Sequence, residues 1–289
     1  MIPESNNNTC PNCHHKWHDN FCCNCGEQKL TNTDSSFVEL FKQLFSSLTE
    51  VDNKFIKSFR LLIFRPGQLA VDYFAGVRKS RLTPFQVFIF ANIIYFFMTA
   101  IFSQATFTTP LKYHINSSNF IHQEIAAEMV EAKLQSSGRS YEYYEENFNR
   151  VAITQSKTLI FVFIPILTLF LMPLFFNKKI KVVRHIIYAT HFMAFLLLVS
   201  IVTMPLVQYI ISVLNQFSFI HIVGNWHELV LSLSLFFVFW LYLYFSFVRI
   251  YDEHKGLLFV KSILLTGCVY YTLLIYRMFL FFTSYLVVG

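Results

Sequence analysis

Residues 84–103 read PFQVFIFANIIYFFMTAIFS, twenty positions without one charge. At 1.5 Å per residue a helix of that length matches a hydrocarbon core of about 30 Å. In lipid only helices and closed barrels satisfy their own backbone hydrogen bonds. This run lacks the period-two alternation of a barrel strand and is about twice the length such a strand needs. It predicts a transmembrane helix. Comparable runs follow at 158–176, 186–206 with an extension towards 214, 229–248, and within 257–288, so the expected architecture is all-α and polytopic, with about five spans. The composition agrees: 55% of the 289 residues are hydrophobic and 14% charged, where soluble domains carry about 25% charge. The 35 Phe and 15 Tyr exclude disordered and collagen-like readings.

Lys and Arg alternate along the connections. They are frequent before residue 84, sparse and outnumbered by Glu124, Glu128, Glu131, Glu142, Glu145 and Glu146 in 104–157, and dense again at Lys178, Lys179, Lys181 and Arg184. Residues 215–228 have none, and Arg249 and Lys255 flank the last connection. By the positive-inside rule this predicts a multi-pass membrane protein, N-terminus cytoplasmic and C-terminus outside, with an outer loop at 104–157. The polar, cysteine-rich start argues against a cleavable signal peptide.

Cys10-Pro11-Asn12-Cys13 and Cys22-Cys23-Asn24-Cys25 give two C-x2-C turns separated by eight residues, a zinc-ribbon spacing. Each turn can aim two thiolates at one ion. Cys10, Cys13, Cys22 and Cys25 would complete a closed tetrahedral set, which makes zinc the expected cofactor and its role structural, folding a segment too short for a core. Zinc is preferred to disulfides because a cytosolic pair seldom stays oxidised. Cys23 is the odd thiol, and His14, His15 and His18 are read as solvated loop residues. The ribbon carries a net charge of −1, which disfavours nucleic acid and leaves docking to a cytosolic protein partner, or a lid on the inner face of the bundle, as the expected role.

Between the ribbon and the first span, Phe37, Leu40, Phe41, Leu44, Phe45, Leu48, Phe55, Ile56, Phe59, Leu62 and Ile63 recur at helical spacing until Pro66-Gly67 breaks the pattern. Lys54, Lys57, Arg60, Arg65, Arg78, Lys79 and Arg81 face Asp72 alone, and this basic stretch is expected to meet anionic membrane lipid headgroups. The alternative is that it packs on the inner ends of the spans; the pattern does not separate the two. The domains are thus 1–30 as ribbon, 31–83 as amphipathic basic juxtamembrane helices, and 84–289 as the transmembrane domain.

A polar membrane site is the remaining candidate, formed from His191, Arg277 and Glu228. His185 and His191 are six residues apart, about 120° around a helix, so they do not share a face. His185 reads as interfacial and His191 as bonded to a neighbouring helix. Arg277 enters the last span, where it either snorkels to the outer headgroups or pairs with Glu228 at the outer start of the fourth. The other outer histidines, His114, His122, His221 and His227, lack ligand spacing. No catalytic motif is legible, so the candidate catalytic residues are none and the reading leans against an enzyme.

Several segments together resemble a bacterial integral-membrane family of unknown function with an N-terminal four-cysteine zinc ribbon. They are CPNC with FCCNCGE, Arg65-Pro66-Gly67 through Tyr73, Gly76-Val77-Arg78, Pro84, His185 through Phe192, and Tyr251-Asp252. The Cys22-Cys23 doublet departs from its pattern. The resemblance implies the architecture and no activity. The expected function is a non-enzymatic membrane module whose cytosolic ribbon recruits or senses a protein partner. The rival is a small-solute or ion transporter or channel, lined by residues such as Asn92, Thr190, His191 and Ser200.

Overall fold

A computed structural model describes residues 9–16, 20–27, 52–102, 107–117, 120–176, 180–216 and 225–288, with helix residues 52–53, 102 and 225–228 described by backbone alone. The described residues form helices and no sheet. They are α1 (Asp52–Phe64), α2 (Gln68–Phe74), α3 (Pro84–Phe102), α4 (Leu111–Asn116), α5 (Gln123–Ser137), α6 (Tyr141–Leu159), α7 (Phe163–Leu174), α8 (Val182–Gln216), α9 (Asn225–Ile250) and α10 (Lys255–Val288). A 3-10 turn, Ile160–Val162, joins α6 to α7. Pro165 explains that turn: it offers no N–H to the carbonyl of Phe161, so the chain tightens just before it.

Among the described residues five helical segments are long and apolar enough to cross a membrane: Pro84–Ile101, Tyr141–Leu174, Val182–Gln216, Leu229–Ile250 and Lys255–Val288. The protein is a multi-pass helical membrane protein. The second span begins earlier than expected, because Tyr144, Phe148, Ala152 and Ser156 repeat every four residues and bury one stripe of α6. The loop expected at 104–157 is therefore largely helical. The third span runs on to Gln216 through Pro205. The first half of the amphipathic pattern, Phe37 to Leu48, lies outside the described residues, as do Lys178, Lys179 and the Glu228 side chain.

The chain divides into two compact units. One comprises 1–95 and 168–266, the other 96–167 and 267–289. In the first, α2 packs on α8 and α9, and α1 on α2 and α8. The turn between α1 and α2 is held by α9. The Arg249 guanidinium donates to the Pro66 carbonyl. Gly67, at φ 79°, lies so close to α9 that a Cβ there would stand 2.9 Å from Ser246 Oγ and 3.0 Å from the Ser246 carbonyl oxygen. Glycine is required on both counts. The buried Ser58 hydroxyl accepts the Leu82 N–H at 2.9 Å and ties α1 to the entry of α3. Phe175 stacks on Tyr251 at 3.6 Å, and Lys261 pairs with Glu253 at 2.6 Å.

The second unit is built on an aromatic core of Phe107, Phe148, Phe163, Tyr276 and Phe281, all at most 1% exposed. The Tyr276 hydroxyl donates to the Phe107 carbonyl at 3.0 Å. Asn149 Oδ1 accepts the Leu111 N–H at 2.8 Å, satisfying a donor at the start of α4 that Pro110 leaves without a side-chain cap.

Candidate metal centre and its docking site

The two cysteine turns fold by one pattern. Cys10 N–H donates to the His15 carbonyl at 2.9 Å and His14 N–H to the Cys10 carbonyl at 2.9 Å; Cys22 N–H donates to Glu27 and Gly26 N–H to Cys22, both at 2.8 Å. The fifth residue of each turn takes positive φ, Gly26 at 70° and His14 at 59°. Thr9 and Lys16 close the first turn with an antiparallel bridge.

Each knuckle turns its two thiols inwards. Cys10 and Cys22 are buried, and Cys13 and Cys25 pack against them. The four sulfurs lie within 4.8 Å of one another, with Cys10–Cys25 and Cys13–Cys22 separations of 3.5 Å. A tetrahedral zinc with bonds of about 2.3 Å would set its sulfurs about 3.8 Å apart, so the cluster has the size for such an ion. All six cysteines are free thiols, and Cys23 is exposed and outside the cluster. Before a cation enters, the thiols differ in acidity. The His15 backbone N–H pulls Cys13 down to about 6, whereas burial pushes Cys25 up to about 12 and raises Cys10. A metal would supply the charge that lets all four ionise together.

The ribbon is docked. Glu27 is 3% exposed, and its carboxylate accepts the Lys79 N–H at 3.0 Å and the Arg78 N–H at 3.1 Å, at the connector between α2 and α3. Ser80 Oγ donates to Asn12 Oδ1 at 2.7 Å. Acceptors to charged groups of this kind are worth about 1.5–3 kcal/mol each. Glu27 and Asn12 were not expected as contact residues; the signal was the isolated carboxylate directly after the last knuckle, facing a connector rich in donors.

The basic stretch shows both of its expected faces. Phe59 and Leu62 are buried while Ile56 and Phe64 are 68% and 75% exposed. Lys57, Arg60, Arg65 and Lys79 are exposed, and Lys54, Arg78 and Arg81 half-buried. The Arg78 guanidinium lies over Tyr73, and Arg81 Nε donates to Asp72 at 3.2 Å.

The membrane candidates fall in different units of the chain. His185 is buried, within a stretch of α8 that is buried almost without break from His185 to Leu197. His191 is 3% exposed, and the hydrogen bond expected from a neighbouring helix is not formed: neither ring nitrogen has a partner among the described residues. Arg277 lies in the other unit, its guanidinium 5.4 Å from the Phe120 ring centre.

Two histidines that showed no ligand spacing do meet. His114 Nδ1 and His122 Nε2 are 2.9 Å apart, with Phe120, Phe148 and Phe281 around His114. Burial, then the neighbouring His122 and Arg277, pushes His114 down to about 3, and burial lowers His122. Both rings are neutral at ordinary pH, so one donates to the other.

No curated protein and no solved structure matches the chain. Residues 52–96 match the family described as "Protein of unknown function (DUF3667)", a likeness that takes in α1, α2, the connector gripped by Glu27 and most of α3.

Proposed function

We propose that this chain is a non-enzymatic module of a bacterial inner membrane, whose N-terminal ribbon binds structural zinc through Cys10, Cys13, Cys22 and Cys25 and presents a fixed surface to a cytosolic protein. The supporting observation is the docking of the ribbon. Glu27 and Asn12 anchor the ribbon, while Phe21 is 59% exposed and His14, His15 and Lys16 are exposed. An exposed aromatic on a small rigid scaffold suits an interface hot spot, and the absence of surplus positive charge on the ribbon favours protein over nucleic acid. The working division is 1–30 as reader, 31–83 as contact with anionic headgroups, and 84–289 as anchor.

A photo-crosslinking amino acid at Phe21 tests this in intact cells. It should yield a defined adduct with a cytosolic protein, lost when Cys25→Ser disrupts the ribbon. No adduct, or one indifferent to Cys25→Ser, refutes recruitment. Orientation is tested separately: in a background without the other thiols, a cysteine at Ser137 should react with an impermeant reagent added outside, and one at Lys179 should not. The reverse result inverts the topology.

Transport is the second reading, favoured by one observation. His191 lies inside a spanning helix, buried, with both ring nitrogens lacking a partner among the described residues, and intramembrane ionisable residues commonly mark functional sites. Reconstituted protein that dissipates an imposed ion gradient, and ceases to with His191→Leu, would decide for it.

A further inference from the structure

Lys57, Arg60, Arg65 and Arg81 come together with Leu61 and Phe64 around a cleft of about 590 Å³. Its walls are α1, the turn after it, and the connector preceding α3. Among the described residues the one carboxylate bonded to a cleft cation is Asp72, on Arg81. That contact is a positioning device: Gln68 donates to Asp72 at 2.7 Å, Asp72 accepts from Arg81 Nε, and Arg81 Nη1 donates to the Ser80 carbonyl at 3.2 Å. The guanidinium is therefore oriented before any ligand arrives, while Lys57, Arg60 and Arg65 form no ion pair among the described residues.

Four cations converging on one concavity repel each other unless an anion joins them. Guanidinium forks match phosphate oxygens in pairs, and an ammonium adds a point charge, so the matching chemistry is a phosphate group. We infer that this cleft is a binding site for a phosphate-bearing anion, with a phospholipid headgroup as its source. The lipid source follows from the neighbours. Ile56, Ile63 and Phe64 are 68%, 40% and 75% exposed along the same helix as Lys57 and Arg60, an apolar surface that acyl chains would cover. The inference concerns one defined pocket and is independent of what the ribbon recruits.

The test uses full-length protein in detergent micelles, titrated with dioctanoyl phosphatidylglycerol, dioctanoyl phosphatidylcholine and inorganic phosphate, with binding read by thermophoresis. Variants are Lys57→Gln/Arg60→Gln, which removes two exposed cations from the cleft, and Lys79→Gln, which removes one exposed cation of the same basic stretch outside it. Unchanged metal content in each variant verifies folding. Phosphatidylglycerol should bind the parent protein, weaken about 30-fold in the double variant and hold its affinity in Lys79→Gln. Inorganic phosphate binding with the same dependence on the double variant supports the phosphate site and assigns a free anion as its source. Equal binding of phosphatidylcholine, indifference to the double variant, or an equal loss in Lys79→Gln overturns the site.

Discussion

Gly67 joins α1 to α2 under the backbone of α9, and its replacement by alanine tests whether that close approach organises the first unit. Two costs add. A Cβ at φ 79° meets the following carbonyl, about 1–2 kcal/mol for an L-residue. The same Cβ would lie 2.9 Å from Ser246 Oγ, 3.0 Å from its carbonyl oxygen and 3.1 Å from its Cα. The hydroxyl can rotate away, but the carbonyl and Cα belong to a helix and cannot, so overpacking adds about 1–3 kcal/mol. A total near 2–5 kcal/mol should lower the melting temperature in detergent by roughly 4–10 °C for a chain of this size. Gly138 provides the control. It also has positive φ, 63°, but nothing lies within 4 Å of a Cβ there, so Gly138→Ala should show the backbone cost alone. Equal losses at Gly67 and Gly138 would refute the steric reasoning. Ser246→Ala in the Gly67→Ala background should recover only a small part of the loss, since the backbone of Ser246 remains.

Metal content measured on purified protein should fall to background in Cys25→Ser and stay near one equivalent in Cys23→Ser; equal loss in both would dismiss the ligand assignment. Glu27→Gln removes the charge that two connector amides share, and at about 1.5–3 kcal/mol it should speed hydrogen exchange at Arg78 and Lys79 by about tenfold or more. Unchanged exchange there would mean that the contact does not hold the ribbon. His114 binds its proton only near pH 3 when folded and near 6.5 when unfolded, so its contribution is complete above 6.5 and is lost as pH falls towards 3. Between pH 6.5 and 5 the second unit should lose up to about 2 kcal/mol, read as hydrogen exchange of α5 and α6 relative to His114→Phe. Identical pH dependence in the variant would show that the pair does not titrate in this way.

The spans were legible because twenty uncharged residues admit one solvent-compatible structure, and the knuckles because C-x2-C fixes where two sulfurs point. The extensions were less legible. Residues 141–157 carry Glu142, Glu145 and Glu146, and window hydropathy discards them, although Tyr144, Phe148 and Ala152 already marked a buried stripe. Glu27 counted as one of the ribbon's solvated charges because its partners stand 51 and 52 residues further on and are backbone N–H groups, which no side-chain pattern announces. His114 and His122 looked unrelated for a similar reason. Eight residues apart, they meet only because the chain turns back between α4 and α5. His191 was expected to bond a neighbouring helix, and neither of its ring nitrogens has a partner among the described residues.

Helix α6 has a mechanical consequence. A globule on a floppy tether tumbles, and its distance from the bilayer is an average. Here Phe148, whose ring packs 6.0 Å from that of His114, and Ile160, at the lip of the apolar run, lie on one continuous stretch of helical chain. At 1.5 Å per residue they stand about 18 Å apart. The helix acts as a ruler, fixing the distance of the His114–His122 pair from Ile160 along the rod. The least stiff point of that rod is the tightened turn Ile160–Val162 beside Pro165, where the regular hydrogen-bond ladder is already interrupted. Torque on the histidine pair is therefore concentrated within that single turn.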